Sequence, residues 1–360
     1  MVDIIEQILN IEKEIRETPY HKGTEHYIGK QRAKLARLRE KQLEDAIKSK
    51  GGGGGGYAVK QQGDATIVLV GPPSAGKSTL LNNLTNAKSK IASYEFTTLT
   101  VVPGMLDYKD AKLQILDVPG LIEGAEIGKG RGREVLSVVR GANLLVLISD
   151  IQRPNVYKNI ESALYDSGVR INTSPPLVNI KKKVKGGIHI HSNIKQDISK
   201  ETIKEMAGSF RIPNGEIVIK EKLTMERLVD AFSKNRIYIP AIYVINKADM
   251  AKASQKKKLK NVDIVISSKK GIKIDEFKEL MWKKLELVRI YLIKDKEKPH
   301  TNSPLIMKQG QTLADVALKI GEEFAEEKEK AIIWGQGSKF PGQEISLSTK
   351  IKEGMMVRFI

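Results

Sequence analysis

The sequence predicts an α/β fold with a second, smaller α+β unit, and three features predict it. Three runs read as buried strands, the continuous apolar Ile67-Val68-Leu69-Val70, then Leu113-Gln114-Ile115-Leu116 and Ala241-Ile242-Tyr243-Val244-Ile245, and each ends in a polar or glycine-bearing segment. The first is followed by a glycine-rich loop and then by Thr79-Leu80-Leu81-Asn82-Asn83-Leu84 with helical spacing, a strand–loop–helix unit. The last third of the chain reads strand–strand–helix–strand–strand, which suits a β-grasp module.

In chain order, residues 1–50 read as two helices. Ile4, Ile5, Ile8, Leu9, Ile11 and Ile15 recur at helical spacing until Thr18-Pro19 interrupts them. The second run places Lys30, Arg32, Lys34, Arg37, Arg39 and Lys41 among Ile28, Leu35, Leu38 and Leu43, an amphipathic basic helix. It suits an RNA surface, a partner helix, or a solvated face over a helical hairpin. The glycines 51–56 form a linker by composition or, being joined directly to a folded core, a segment packed over it.

The loop Gly71-Pro72-Pro73-Ser74-Ala75-Gly76-Lys77-Ser78, with Thr79 after it, is a complete phosphate-binding pattern. Gly71 and Gly76 let the backbone turn its N–H groups toward phosphates, reinforced by the helix N-terminus. Lys77 is expected to reach the β- and γ-phosphates, and the Ser78 hydroxyl to hold Mg²⁺. The chain is therefore expected to bind a nucleoside triphosphate.

Asn246-Lys247-Ala248-Asp249, at the end of a strand, selects the base. A carboxylate there can accept from both N1–H and the 2-amino group of guanine, whereas adenine would leave Asp249 unpaired. Asn246 is read as a donor toward the guanine O6/N7 edge, and the Lys247 stem as packing on the base. Ser267-Ser268-Lys269, after Ile264-Val265-Ile266, is the candidate for a final base-contacting element. At the phosphate end, Asp117-Val118-Pro119-Gly120 follows a strand. Asp117 would hold Mg²⁺ through water, and the Gly120 N–H would sense the γ-phosphate. Thr97 and Thr98 both qualify to complete the Mg²⁺ shell, with Thr98 preferred, and their release after hydrolysis would make that segment a switch. Lys77, Thr98 and Gly120 are the candidate catalytic set.

The insertion opens at Thr173-Ser174-Pro175-Pro176. Leu177–Ile180 and Ile188–His191 read as strands flanking a basic hairpin tip, Lys181-Lys182-Lys183-Val184-Lys185-Gly186-Gly187. Residues 199–206 read as a helix, 216–219 as a strand, and 224–232 as a helix capped by Thr224. Beyond it, a helix is expected over 273–288, strands over 289–293, 305–307, 331–334 and 355–359, and a helix over 313–324.

These motifs in this order, with Phe96-Thr97-Thr98-Leu99-Thr100, Asp117-Val118-Pro119-Gly120-Leu121 and the 51–56 glycines, resemble the Obg-like GTPases. Within them the chain is similar to the developmentally regulated GTP-binding protein family, in an archaeal-type form. Gly-Lys-Gly-Arg-Gly-Arg at 128–133, Arg140-Gly141-Ala142-Asn143, Gly186-Gly187-Ile188 and Ala331-Ile332-Ile333-Trp334-Gly335 carry the same resemblance. It implies a helix-turn-helix segment over 1–50, a connector over 51–63 and a Ras-like G domain over 64–166 and 238–289. It further implies an inserted S5-like domain over 167–237 and a TGS domain of β-grasp type over 290–360. The family implies GTP hydrolysis to GDP, Mg²⁺ and association with translating ribosomes. Some relatives carry an Asn at this loop position that helps hold potassium; Ser74 departs from that pattern, which counts against K⁺ but leaves it a candidate second cation. Ras-like enzymes place a water-orienting Gln where Leu121 stands, so unassisted hydrolysis is expected to be slow. A cation, a regulatory protein partner, or Arg131 and Arg133 would have to supply the difference; an arginine at the γ-phosphate is worth about 10³–10⁵ in rate.

Composition bounds the partners. The 360 residues carry 61 Lys plus Arg against 43 Asp plus Glu, a net charge of +18, so polyanions are the natural partners. Ribosomal RNA fits, an anionic membrane fits by charge alone, and a compositional bias is the third reading. With no cysteine, thiol catalysis, disulfides and Cys-based zinc sites are excluded, and five scattered histidines give no metal spacing; His189 and His191 read as surface residues. No apolar stretch is long enough to span a bilayer and Met1-Val2-Asp3 is unlike a secretory signal, so a cytoplasmic monomer without stable membrane association is expected. The leading expectation is a GTPase acting as a translation factor; the alternative is an RNA-binding assembly scaffold in which GTP is structural.

Overall fold

The computed structural model describes residues 4–48, 62–85, 92–93, 100–118, 132–250, 259, 261–295 and 297–360. The chain opens with helices α1 (Ile4–Glu17) and α2 (Glu25–Lys48). Then come β1 (Ala65–Val70), α3 (Lys77–Leu84), β2 (Ala92–Ser93), β3 (Thr100–Tyr108), β4 (Ala111–Asp117), α4 (Gly132–Arg140), β5 (Leu144–Asp150), α5 (Tyr157–Asp166) and β6 (Val169–Ile171). A second group runs β7 (Val178–Lys182), β8 (Ile188–Ser192), α6 (Lys200–Ser209), β9 (Gly215–Ile219), α7 (Met225–Phe232) and β10 (Ile237–Ile239). The chain returns through β11 (Ala241–Asn246), β12 (Ile264–Val265) and α8 (Ile274–Leu285). It closes with β13 (Leu287–Leu292), β14 (Leu305–Lys308), α9 (Leu313–Ile320), α10 (Glu322–Glu326), β15 (Lys330–Trp334), β16 (Gln343–Ser346) and β17 (Met355–Phe359). These elements divide into two compact units, one of residues 1–58, 122–140 and 158–239, the other of 59–121, 141–157 and 240–360.

The second unit is built on a seven-stranded sheet in the order β12-β11-β5-β1-β4-β3-β2. The pairs β12·β11, β11·β5, β5·β1 and β1·β4 are parallel; β4·β3 and β3·β2 are antiparallel. All six residues of β1 and all seven of β5 are buried, so both carry a continuous apolar segment, Ile67–Val70 and Leu144–Ile148, rather than an alternating one. Leu80, Leu81 and Leu84 of α3 and Phe277, Met281 and Trp282 of α8 share one core with Ile67, Leu113, Val146 and Ile242. Each fully buried Leu, Ile or Phe of this kind contributes about 1.5–3 kcal/mol.

The expected helix over 273–288 stops earlier. Glu286 takes a left-handed conformation (φ 53°) and ends α8, so β13 starts at Leu287. The C-terminal sheet has the order β14-β13-β17-β15-β16, with β13 and β17 paired parallel at its centre and the other neighbours antiparallel. Thr312 starts α9 through a reciprocal capping box with Asp315. The expected helix over 313–324 is split at Gly321, whose N–H closes the first segment on the Ala317 carbonyl. Strand β16, which has only four residues and half-exposed ones, is not evident from the sequence.

In the first unit, α2 packs along α6 and α7. Glu25 docks it: its Oε1 accepts from the Ser199 N–H at 2.8 Å and the Thr202 hydroxyl at 3.1 Å, and its Oε2 from Lys22 at 2.6 Å. Arg170 donates Nε and Nη2 to the two carboxylate oxygens of Asp230 at 2.6 Å each, and Arg236 adds Nε at 2.8 Å. The small sheet corrects one expectation. Strands β7 and β8 do not form a hairpin: β9 lies between them, antiparallel to β7 and parallel to β8. The basic segment between them is therefore a crossover rather than a hairpin tip, held by Gly187 N–H and Lys183 N–H on Asn214 and by Lys183 on Glu216. His189 and His191 are exposed on β8. Among the described residues, no helix is long and apolar enough to cross a membrane.

Candidate nucleotide site

Because β1, β4, β5 and β11 run parallel and adjacent, their carboxyl ends meet along one edge, the usual ligand position in an open α/β sheet. Strand β4 ends on Asp117, β5 on Asp150 and β11 on Asn246, while β1 runs into the 71–78 loop. Four sequence-distant segments are thus brought to one place by strand order.

Within the loop, Ser74 (φ 61°) and Gly76 (φ 89°) are left-handed. A Cβ on Gly71 would stand 2.2 Å from the Ile148 carbonyl oxygen, and one on Gly76 2.3 Å from Asn246 Nδ2, so only glycine fits at either position. Pro72 and Ala75 are buried, Pro73 and Ser74 exposed. Helix α3 starts at Lys77 with no side-chain cap, which leaves its first N–H groups directed at the loop. Lys77 is buried and its Nζ lies over the loop, donating to the carbonyls of Gly71 (3.0 Å) and Pro72 (3.1 Å). Thr79 is exposed. Ser78 Oγ donates to Asp117 Oδ2 at 2.6 Å. The other oxygen, Asp117 Oδ1, is buried and has no hydrogen-bond partner among the described residues. A desolvated carboxylate oxygen is costly unless something positive faces it. Two hard oxygens, one hydroxyl and one carboxylate, suit a small divalent cation such as Mg²⁺.

At the other end, Asn246 is buried and bonded to three segments of the protein. Its Nδ2 donates to the Ala75 carbonyl at 2.9 Å; its Oδ1 accepts from Lys247 N–H (2.8 Å), Ser268 N–H (2.9 Å) and Ser268 Oγ (3.0 Å). It is thus a strut between the phosphate-type loop and the 267–268 segment, and the Ala75 bond uses one of the two N–H donors of its Nδ2. Asp249 follows on a single 3-10 turn, and Ser267 Oγ donates to its Oδ1 at 2.5 Å. That bond, against partial burial, holds the Asp249 carboxyl below the usual range. Ser267 and Ser268 are buried and Lys269 is exposed. Asn83 of α3 donates to the Ser268 carbonyl, tying the helix to the same segment.

Two residues of the site escape the sequence reading. Asp150 accepts from the N–H groups of Gln152 (3.1 Å) and Arg153 (2.9 Å) and lies 3.4 Å from Lys247 Nζ. Burial pushes the Asp150 carboxyl up, but these bonds and the Arg153 and Lys247 charges outweigh it and lower it overall. Arg153 also donates to the Pro73 carbonyl at 3.1 Å, bracing the loop. The available signal was the run Leu144–Ser149 ending in an acid, the same strand-then-carboxylate pattern as at Asp117. Thr97, Thr98, Gly120, Leu121 and the 128–131 segment lie outside the described residues, as does the Arg133 side chain.

Comparison with known proteins bears on the same residues. A family described as a 50S ribosome-binding GTPase matches residues 66–182, the C-terminal region of that domain matches 185–287, and a TGS domain matches 288–360. A GTP-binding protein of Methanocaldococcus jannaschii is 45% identical over 100% of this chain and 93% of its own. Developmentally-regulated GTP-binding protein 1 of Xenopus laevis is 38% identical over 100% of both chains. The chain belongs to the developmentally regulated GTP-binding protein family. It is accordingly a GTP-binding P-loop GTPase, with N-terminal helices and a C-terminal TGS domain, as its motifs implied. The solved structure of the Schizosaccharomyces pombe YchF GTPase aligns over 84% of this chain and 99% of its own, at 13% identity and a TM-score of 0.45.

Proposed function

We propose that this GTPase binds Mg²⁺–GTP at the edge formed by β1, β4, β5 and β11 and uses the bound state to control association with the ribosome. Gly71 to Thr79 would wrap the phosphates, with Lys77 moving from the Gly71 and Pro72 carbonyls onto the β- and γ-oxygens. Ser78 and Asp117 would hold Mg²⁺, Thr98 would complete its shell with Thr97 beside it, and Gly120 would contact the γ-phosphate. The metal would neutralise charge that develops on the phosphates. Asp249 would accept from guanine N1–H and the 2-amino group, with Ser267, Ser268 and Lys269 closing over the base. Asn246 would serve by fixing the distance between the two ends of the nucleotide.

The buried Oδ1 of Asp117 beside the Ser78 hydroxyl, without a hydrogen-bond partner among the described residues, is the observation that carries this reading. Leu121 in place of a water-orienting Gln supports slow intrinsic hydrolysis, to be raised by K⁺ or by a partner protein. The net charge of +18 supports a ribosomal, cytoplasmic role, and the described family of residues 66–182 points the same way. Sedimentation with purified ribosomes tests the output: pelleting should be salt-sensitive and stronger with a non-hydrolysable GTP analogue than with GDP. Equal pelleting in both states would overturn nucleotide control.

A further inference from the structure

We propose that the outward stripe of α2 is a docking surface for the phosphate backbone of helical RNA in the ribosome. This deepens the ribosome reading above by naming the surface that makes contact. The sequence alone left the basic helix open between a structural and a binding role, and the structure sorts its cations into two sets. Arg32 pairs with Glu226, and Arg39 lies 2.8 Å from Glu12 and 3.0 Å from Asp166. These two hold the unit together. Lys30, Lys34, Arg37 and Lys41 are exposed instead.

Their spacing of four, three and four residues puts them on one face, as a stripe about 16 Å long at 1.5 Å rise per residue. Carboxylates border this stripe rather than break it: exposed Glu44 and Asp45 follow Lys41 by three and four residues at its C-terminal end. Lys30 has Glu205 only at 3.8 Å, Arg37 donates to the Ser209 carbonyl at 2.7 Å, and no carboxylate engages Lys34 or Lys41 among the described residues. Exposed Arg211, two residues past Ser209, extends the positive surface. Like charges three and four apart oppose helix formation, and a face selected only for solubility interleaves both signs.

The partner follows from what the helix lacks. Its apolar side, Ile28, Ala33 and Ala36, is buried, so it has no apolar face to lay into a bilayer. A rigid row of cations at near-even intervals matches a repeating, sequence-independent row of anions, which is what an RNA backbone presents.

The test is the triple variant Lys30→Gln, Lys34→Gln, Lys41→Gln in the full chain, which spares Arg37 and the internal pairs. Probes are a 20-base-pair RNA duplex, purified ribosomes, polyglutamate, and phosphatidylserine–phosphatidylcholine vesicles. Duplex affinity at low salt should fall at least ten-fold, and the slope of log affinity against log salt should drop by about two to three, at 0.7–0.9 per phosphate contact. Ribosome pelleting should weaken in parallel with the thermal midpoint unchanged. Arg32→Gln, which breaks an internal pair, should lower the midpoint and leave the salt slope alone. An unchanged slope and duplex affinity in the triple variant would overturn the surface, as would a loss confined to polyglutamate or vesicles. Absence of ribosome pelleting by the unaltered protein, with duplex binding intact and stripe-dependent, would overturn the ribosome reading instead.

Discussion

Asp117 and Asp230 are both buried carboxylates, 5% and 8% exposed, yet their surroundings are opposite. Asp230, in the α6–α7 unit, has both oxygens bonded to arginines: two donors from Arg170 and one from Arg236. Asp117, at the end of β4, has one oxygen bonded to Ser78 and the other bonded to nothing among the described residues. Burial alone therefore does not mark a functional acid. A saturated carboxylate is an internal brace; one left half-satisfied at a strand end, beside a glycine-rich loop, is built for something that arrives from outside. A similar contrast separates the cations of α2: Arg32 and Arg39 are paired with carboxylates inside the unit, whereas among the described residues no carboxylate pairs with Lys34 or Lys41.

Swapping the two acids should break the contrast most visibly. Asp117→Asn should lower Mg²⁺-dependent GTP hydrolysis about 10²–10⁴-fold, the several kcal/mol that a metal supplies, with little change in the thermal midpoint. Asp230→Asn should do the reverse. Leaving Arg170 and Arg236 buried without a counter-charge should cost about 3–5 kcal/mol of stability, read by denaturant unfolding, with per-molecule hydrolysis preserved.

Glu25 sharpens the picture of the first unit as a braced one. Burial raises its carboxyl, but the bonds from Lys22, Ser199 and Thr202 outweigh this and hold it at about 2, below its ordinary 4.5. A depressed folded value means stability that is fully present above pH 4.5 and is lost as the pH falls toward 2, at most about 3 kcal/mol. Glu25→Gln should flatten acid unfolding within that window and leave neutral-pH GTP binding as it was. The smallest effect belongs to base selection. Asp249→Asn should weaken GTP by about 1–3 kcal/mol and narrow its advantage over xanthosine triphosphate, as measured by competition.

Much of the fold was legible because its central strands are buried on both faces. Ile67–Val70, Leu113–Leu116 (broken only by Gln114) and Ala241–Ile245 announce themselves as largely apolar runs, and Thr224 and Ser199 mark helix starts by the caps they make. What stayed hidden depends on partners distant in sequence. Nothing local in residues 178–192 says that β9, formed two dozen residues later, will enter between β7 and β8. Helix α8 ends at Glu286 because that residue adopts a left-handed turn, which no glycine advertises. At the site, the residue types were legible, but a bracing task among them was not. Asn246 also ties the loop to the 267–268 segment, because β1 and β11 set Ala75 and Ser268 on either side of it. Asp150 and Arg153 were missed because their work, bracing Lys247 and Pro73, exists only through strand order.

The central claim is that Ser78 and Asp117 form half of a magnesium site whose other half arrives with GTP. Titration calorimetry of the full chain with GTP, in Mg²⁺ and in EDTA, for the parent and for Asp117→Asn, addresses it directly. The parent should take up one GTP, more tightly with Mg²⁺, and the variant should lose that dependence while remaining folded. No uptake of guanosine nucleotide by the folded parent, or an equal magnesium dependence in both proteins, would contradict it.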